Sequence, residues 1–311
     1  MKAVVLAETG GPEALAYTDV AEPEPTDGQQ VIDVRAAGIN FMDALIRRGQ
    51  YPQMPALPTI LGGEVAGDLG DRRVMGFTCT SGGGYAERAL VEDAWLIDLP
   101  DDATYAEGAS FLRAYLTAWI PLTWQVAVRP GSTVLVHAAA GGVGSAAVQV
   151  AKHLGAEVYG TASDHKLDFV RGLGATPVPY EGFADGVRAA TGGRGADIVY
   201  DPVGGDLFDD SLKALAPLGS YVAIGFAGGL WPQVDPALLV GRNAAVVGFY
   251  LGRLMKLQPE LVQSAAQDLV ALWEAGDVKP VVGAEYPLAD AADAHRAIEA
   301  RQTTGKVVLL P

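Results

Sequence analysis

Few side chains in this chain are of the types that do acid–base, nucleophilic or metal chemistry. There are four histidines, His137, His153, His165 and His295, and one cysteine, Cys79, and none of them stands at zinc-ligand spacing. His137 closes an apolar run and reads as a core histidine with its ring nitrogens satisfied. His295 lies on a late stretch of alanines and charges and is expected to face solvent. Cys79 opens the loop Cys79-Thr-Ser-Gly-Gly-Gly84 and reads as a small hydrophobe before a reactive thiol. No serine nucleophile elbow and no P-loop lysine is present. The chain does carry a phosphate cradle. Thr133-Val-Leu-Val-His137 is an apolar, β-branched run that stops at Ala138-Ala-Ala-Gly-Gly-Val-Gly144, and an Ala/Val-rich stretch, Ser145 to Gly155, follows at once. That is a buried strand, a tight turn and a helix: the dinucleotide fingerprint, with Ala139, Gly141 and Gly144 in its three glycine positions and Gly142 and Val143 completing the loop. Small residues there let the backbone turn, approach a pyrophosphate and pack helix on strand, while the helix N-terminus offers N–H groups and a positive dipole end. The chemistry is expected to come from the cofactor so held.

The next strand sharpens the cofactor. An Asp or Glu at its end, about 20 residues after the glycines, would bind a ribose 2′-hydroxyl. Here it ends Tyr159-Gly-Thr-Ala-Ser163, followed by Asp164 and Lys166. With no acid at the strand end, and with a hydroxyl and a lysine close by, a 2′-phosphate is favoured, so NADPH is expected over NADH. Asp201-Pro-Val-Gly-Gly205, Gly225 after a further strand, and Phe249 at the end of the last stand where ligands bind in open α/β sheets, and Gly225 and Phe249 are expected to line the cofactor.

The elements that must position these residues change character along the chain. Val4–Leu6, Val31–Val34, Val65–Ala66 and Val74–Phe77 read as short strands between Pro- and Gly-rich turns. From about Ala106 to Val128 the spacing turns helical. Strand candidates Thr133–His137, Glu157–Thr161, Ile198–Asp201, Ser220–Ile224 and Ala245–Phe249 then alternate with helices, which implies α/β architecture with a parallel sheet. A long amphipathic helix follows Pro259 to about Ala275, and the short strands Val281–Val282 and Lys306–Leu310 are expected to rejoin the first third. With 311 residues, half of them hydrophobic and 19% charged, the chain is globular and long enough for two domains. It has no apolar run of membrane-spanning length, and Glu8 interrupts the N-terminal apolar run too soon for a signal peptide. The single cysteine suits a reducing cytoplasm. A net charge of −15 argues against nucleic acid as a partner.

Several segments in register then resemble one family. Val136-His-Ala-Ala-Ala-Gly-Gly-Val-Gly144, Ala37-Gly-Ile-Asn-Phe-Met-Asp43, Leu61-Gly-Gly-Glu-Val-Ala-Gly67, Gly83-Gly-Tyr-Ala-Glu87, Ala109-Ser-Phe-Leu112 with Leu116-Thr-Ala118, and Thr304-Gly-Lys-Val-Val-Leu-Leu310 resemble the zinc-independent quinone oxidoreductases, the zeta-crystallin group of the medium-chain dehydrogenase/reductase superfamily. The likeness spans nearly the whole chain. It implies a GroES-like catalytic domain, expected over 1–115 and 252–311, and a Rossmann NADPH-binding domain over 116–251. It also implies a homodimer. Carried over by position, Asn40 matches the family's active-site asparagine near the nicotinamide, Thr117 a threonine that hydrogen-bonds that region, and Tyr51 a tyrosine lining the substrate cleft. Lys166, Tyr180 and Arg301 match the residues that grip the 2′-phosphate, a task to which the forked guanidinium of Arg301 is suited.

Where zinc-dependent relatives carry a Cys and a Gly-His-Glu, this chain has Asn40 with no Cys in its segment, and Gly62-Gly63-Glu64 with no His, so no metal is expected. Leu45 stands where the family often has a second tyrosine. The stretch between Gly67 and Gly70 is about ten residues shorter than the usual pattern, a deletion in a hairpin or loop. The activity implied is hydride transfer to a quinone or activated enone, with Asn40 among the groups stabilising charge on the carbonyl oxygen and water as the proton source. Two rivals stand beside it: a trans-enoyl-thioester reductase, for which only Arg47-Arg48 and Arg72-Arg73 offer basic character, and an NADPH-binding protein with little turnover.

Overall fold

In the computed structural model, residues 1–79, 83–231 and 233–311 are described. Thr80, Ser81 and Gly82 of the glycine loop after Cys79, and Pro232, lie outside the described residues.

Short β-branched runs broken by Pro and Gly fold as antiparallel strands. β1 (Lys2–Leu6) pairs with β2 (Leu15–Asp19). The long β3 (Gln29–Ile39) leads into α1 (Phe41–Arg47), and β4 (Thr59–Ile60) lies on the other edge of β1. β5 (Glu64–Leu69), β6 (Arg72–Thr78) and β7 (Arg88–Asp98) form a meander, followed by the one-turn α2 (Tyr105–Gly108). β3 pairs with β5 along one part and with β7 along another, so these four strands close into a small barrel. The shortened stretch is now a two-residue hairpin turn, Gly70-Asp71, with Leu69 opposite Arg72.

α3 (Leu112–Ile120) continues into a π-helical turn, Pro121–Gln125. Strands and helices then alternate: β8 (Thr133–Val136), α4 (Gly142–His153), β9 (Glu157–Ala162), α5 (Leu167–Gly172), β10 (Thr176–Pro179), α6 (Phe183–Ala190), β11 (Ala196–Asp201), α7 (Phe208–Ala214), β12 (Leu215–Ala223), α8 (Pro236–Arg242) and β13 (Ala245–Gly248). The six strands form one parallel sheet in the order β10-β9-β8-β11-β12-β13, the doubly wound arrangement that the alternation implies. α9 (Leu251–Leu257) and α10 (Pro259–Glu274) follow. The chain ends with β14 (Val282–Pro287), α11 (Ala291–Glu299) and β15 (Lys306–Leu310), and β15 pairs antiparallel with β3.

Two compact units result: Met1–Leu112 with Pro280–Pro311, and Arg113–Lys279. The boundary expected between 251 and 252 therefore moves to 279/280. α10 and the turn after it belong with the parallel sheet, because Lys279 is tied to α4 twice, its N–H donating to Gln149 Oε1 (2.8 Å) and its carbonyl accepting from Gln149 Nε2 (3.0 Å). Each unit has its own core. In the first, Val4, Leu6, Ile32, Val34, Val65, Val74, Tyr85 and Val307 pack together; in the second, Leu135, Tyr159, Phe183, Val199, Phe208 and Tyr221 do so. Among the described residues no helix is long and apolar enough to cross a membrane.

Candidate active site and cofactor cradle

All strands of the parallel sheet run the same way, so their carboxyl ends line one edge, where open α/β sheets bind ligands. The loop after β8 is stitched to both neighbouring strands: His137 N–H donates to Tyr200 O and Ala139 N–H to Thr161 O, each at 2.9 Å. His137 is fully buried between Thr161 Oγ1 (2.9 Å) and Ser211 Oγ (2.8 Å), a satisfied core histidine whose burial lowers its pKa. The left-handed residue of the turn is Ala138 (φ +48°), one position before Ala139, which is buried and bonded to β9. Gly141 caps α4 and no side chain caps the helix. The first-turn N–H groups of Gly142, Val143 and Gly144 are those that a helix leaves without intrahelical acceptors. A Cβ on Gly144 would stand 2.1 Å from Ala138 O, whereas one on Gly141 would meet nothing closer than 3.3 Å. Gly144 thus serves helix–strand packing, and the face at Gly141 is far less crowded. These residues fit a pyrophosphate.

Along the same edge, Ser163 follows β9 and its carbonyl accepts from Lys166 N–H at 2.8 Å. Lys166 is 8% exposed, not the solvated helix residue its position allows, and burial pushes its ammonium below the ordinary lysine value. Tyr180 directly follows β10, the neighbour of β9, and is half-buried. Ser163, Lys166 and Tyr180 thus share the β9–β10 end, where a 2′-phosphate is expected, and no carboxylate ends β9. Gly225 follows β12, and Phe249 follows β13 with its N–H on Ala223 O (3.0 Å). Thr117, on α3, is tied to the sheet through its carbonyl, which accepts from Tyr200 Oη at 3.0 Å.

Asp201 and its donor Tyr221, neither among the residues expected to line the cofactor, shape this edge. Asp201, buried at the end of β11, accepts from Val203 N–H (2.6 Å) and Gly204 N–H (3.1 Å) through Oδ1 and from Tyr221 Oη (2.5 Å) through Oδ2. It builds the loop that the glycines after it announce. The sequence signal was an Asp ending an apolar strand before Pro-Val-Gly-Gly, an Asx-turn pattern.

In the other unit, Asn40 ends β3 and begins α1. Its backbone N–H donates to Asp43 Oδ2 (2.8 Å) and its carbonyl accepts from Asp43 N–H (2.9 Å). Its side chain meets Glu64 and Lys306: Nδ2 donates to Glu64 Oε1 (3.0 Å) and Oδ1 accepts from Lys306 Nζ (2.8 Å). Tyr51 is half-buried against the core of this unit, Leu45 is buried, and Arg301 is exposed in the left-handed turn (φ +56°) between α11 and β15. The expectation that His295 faces solvent is overturned. It is fully buried, 3.3 Å from Tyr85 Oη, which in turn lies 3.0 Å from Asp43 Oδ2. Ala291 and Ala294 beside it are small and buried, so α11 packs close on that face and carries His295 inward, while Asp293 and Arg296 point out. Burial, with Arg47 and Arg48 nearby, pulls its pKa down to about 3. Among the described residues, no group of three or more His, Cys, Asp or Glu side chains is placed to hold a metal ion.

Comparison with known proteins places this geometry. The Alcohol dehydrogenase GroES-like domain matches residues 26–71 and the Zinc-binding dehydrogenase family matches residues 173–309. The quinone oxidoreductase of Pseudomonas aeruginosa is 35% identical, over all of this chain and 99% of its own. The chain belongs to the quinone oxidoreductase family. The likeness extends to structure among these medium-chain dehydrogenase/reductases. The Thermus thermophilus quinone oxidoreductase, solved also in complex with NADPH, superposes with a TM-score of 0.92 at 38% identity, over the whole of both chains. The Escherichia coli quinone oxidoreductase complexed with NADPH gives 0.93 at 30% identity, again over both whole chains. In this family, then, the β-rich unit is the GroES-like one and the parallel sheet is its Rossmann partner.

Proposed function

We propose that this chain is an NADPH-dependent oxidoreductase that reduces quinones or activated enones without a metal ion. The observation that carries the cofactor assignment is the carboxyl edge of β8–β10: an uncapped helix start over Gly141, and a β9 end with Ser163 and a buried Lys166 but no acid. Bound NADPH supplies a hydride. The first-turn N–H groups of α4 hold the pyrophosphate. Ser163, Lys166, Tyr180 and Arg301 hold the 2′-phosphate, and Thr117, Gly225 and Phe249 serve the nicotinamide end. Asn40 donates an N–H to the carbonyl oxygen that gains charge, in a setting dry enough for that bond to count. Tyr51 lines the substrate side. A reduced quinone is a stable anion, so water suffices as its proton source. The reading is metal-free because the side chains that meet the Asn40 amide are one ammonium and one carboxylate, a poor set for zinc.

The homodimer is part of the same proposal. β13 is the edge strand of its sheet, and Leu238 and Val240 on the helix leading into it are 46% and 79% exposed. An open edge flanked by apolar side chains is a template for pairing. Sedimentation is expected to show a dimer that Val240→Asp weakens. A reducing cytoplasm suits the single thiol. The activity is tested by following NADPH oxidation with a panel of p-quinones, conjugated enones and crotonyl-CoA. Turnover with quinones or enones is expected; turnover confined to the thioester, or none at all, would remove the substrate assignment.

A further inference from the structure

Lys306, Glu64 and Asn40 form a buried cluster whose polarity dictates how the asparagine amide points. β3 lies between β15 and β5 and runs antiparallel to both. The end of β3 therefore meets the start of each neighbour, and Asn40, Lys306 and Glu64 stand at those three places. The Lys306 ammonium has three protons, and each has an acceptor: Ile39 O at 3.0 Å, Asn40 Oδ1 at 2.8 Å and Glu64 Oε1 at 2.5 Å. Glu64 Oε1 also accepts from Asn40 Nδ2. The lysine and glutamate side chains are 5% and 2% exposed.

An ammonium only donates and a carboxylate only accepts. Of the two ways to set the Asn40 amide, one satisfies both neighbours. The other would aim an NH2 at an ammonium and a carbonyl oxygen at a carboxylate. The chemistry of the two neighbours therefore fixes the orientation. In that orientation one Nδ2 proton is spent on Glu64 and the second has no acceptor among the described residues. Stability alone is a weak reason for such a pair, since apolar residues of the same volume often do as well.

We propose that Lys306 and Glu64 are positioning residues: together they lock the Asn40 amide so that its second N–H is presented to the substrate oxygen. This rests on the reading of Asn40 as the donor to that oxygen. Removing one partner strands a buried charge and endangers folding, so the informative variant is the charge-neutral Lys306→Met/Glu64→Gln pair, which keeps volume and frees the amide to turn over.

Two readouts on the full chain decide it. In steady-state reduction of a p-quinone by NADPH, Asn40→Ala is expected to lose on the order of 100-fold in kcat, as for one lost oxyanion donor. The neutral pair should lose at least about tenfold, with KM for NADPH unchanged. Adding Asn40→Ala to the pair should cost nothing beyond Asn40→Ala alone, because the pair acts through that side chain. Losses that multiply overturn the proposal. The second readout needs no turnover. The chain has two asparagines, Asn40 and the exposed Asn243, so asparagine-selective 15N labelling gives two side-chain amide pairs. The Asn40 pair should exchange slowly in the wild type and quickly in the neutral variant. Protection that survives the substitutions overturns the lock whether or not the enzyme turns over. A wild type that reduces no quinone or enone sinks instead the functional reading, and the positioning role with it, while the amide data still decide the lock.

Discussion

Gly144→Ala separates the packing role of the glycine loop from its binding role. The new Cβ would stand 2.1 Å from Ala138 O, 2.7 Å from its carbonyl carbon and 2.9 Å from Ala139 Cα, all backbone atoms. To reach an ordinary contact of 3.4 Å the start of α4 must retreat by about 1.3 Å. Overpacking of this kind costs about 1–3 kcal/mol, against which alanine's better helix propensity returns up to about 1 kcal/mol. A net loss of roughly 1–2 kcal/mol in unfolding free energy follows. The retreat also carries the first-turn N–H groups away from the phosphates. Loss of one charge-assisted hydrogen bond, about 1.5–3 kcal/mol, weakens NADPH binding by about 10- to 100-fold. Gly141→Ala is the contrast. Its backbone, φ −85° and ψ 174°, suits alanine, and its nearest neighbour would be 3.3 Å away. It should melt like the wild type and still lose NADPH affinity, because its Cβ occupies the approach of the pyrophosphate. Denaturant unfolding and calorimetric titration with NADPH measure both effects. The reasoning is refuted if Gly144→Ala binds NADPH within about twofold of wild type, well under 1 kcal/mol, or if Gly141→Ala leaves affinity untouched.

Ser163→Asp should weaken NADPH while sparing or improving NADH, shifting the ratio of their dissociation constants by at least about tenfold, as a carboxylate beside a 2′-phosphate requires. His295 predicts an acid-sensitive fold: its pKa falls from 6.5 to about 3 on folding, so the unfolded chain binds the extra proton. Its contribution is whole above pH 6.5 and drains as pH drops toward 3, at up to about 1.4 kcal/mol per unit. Urea unfolding across that window should show a flatter slope for His295→Gln than for wild type; equal slopes would clear His295 of the effect. Tyr221→Phe removes the 2.5 Å donor to Asp201 Oδ2, with an expected cost of about 1–3 kcal/mol and weaker NADPH binding through the loop at Val203 and Gly204; unchanged melting and binding would show that the bond adds nothing.

Much of the fold was legible because its signals are local. The change from apolar run to small residues to Ala/Val helix fixes β8, the turn and α4, and an apolar run opened by Lys306 marks β15. What stayed hidden depended on partners distant in sequence. α10 has an apolar face but no address; the reciprocal Lys279–Gln149 bonds give it one. β7 mixes Arg88, Glu92, Asp93 and Asp98 into its run, which blurs alternation that its pairing with β3 and β6 overrides. On α11, Ala291, Ala292, Ala294 and Ala297 are spread round the helix, so composition could not say which face packs. Ala138 and Ala139 are equally small, and only the backbone shows that Ala138 takes the left-handed turn. Within the site, Asn40 was found through resemblance, but Lys306 and Glu64 were quoted only as parts of motifs. A charge opening a buried strand asks for a partner, and antiparallel register supplied it.

The central claim is that the β8–β10 edge is built for NADPH and serves quinone or enone reduction. The direct measurement is the rate of nicotinamide oxidation by the full chain with a p-quinone acceptor, NADPH against NADH. Acceptor-dependent oxidation is expected, with kcat/KM at least about tenfold higher for NADPH, equivalent to about 1.4 kcal/mol. Oxidation of NADH as fast as NADPH, or of neither with any quinone or enone, would contradict it.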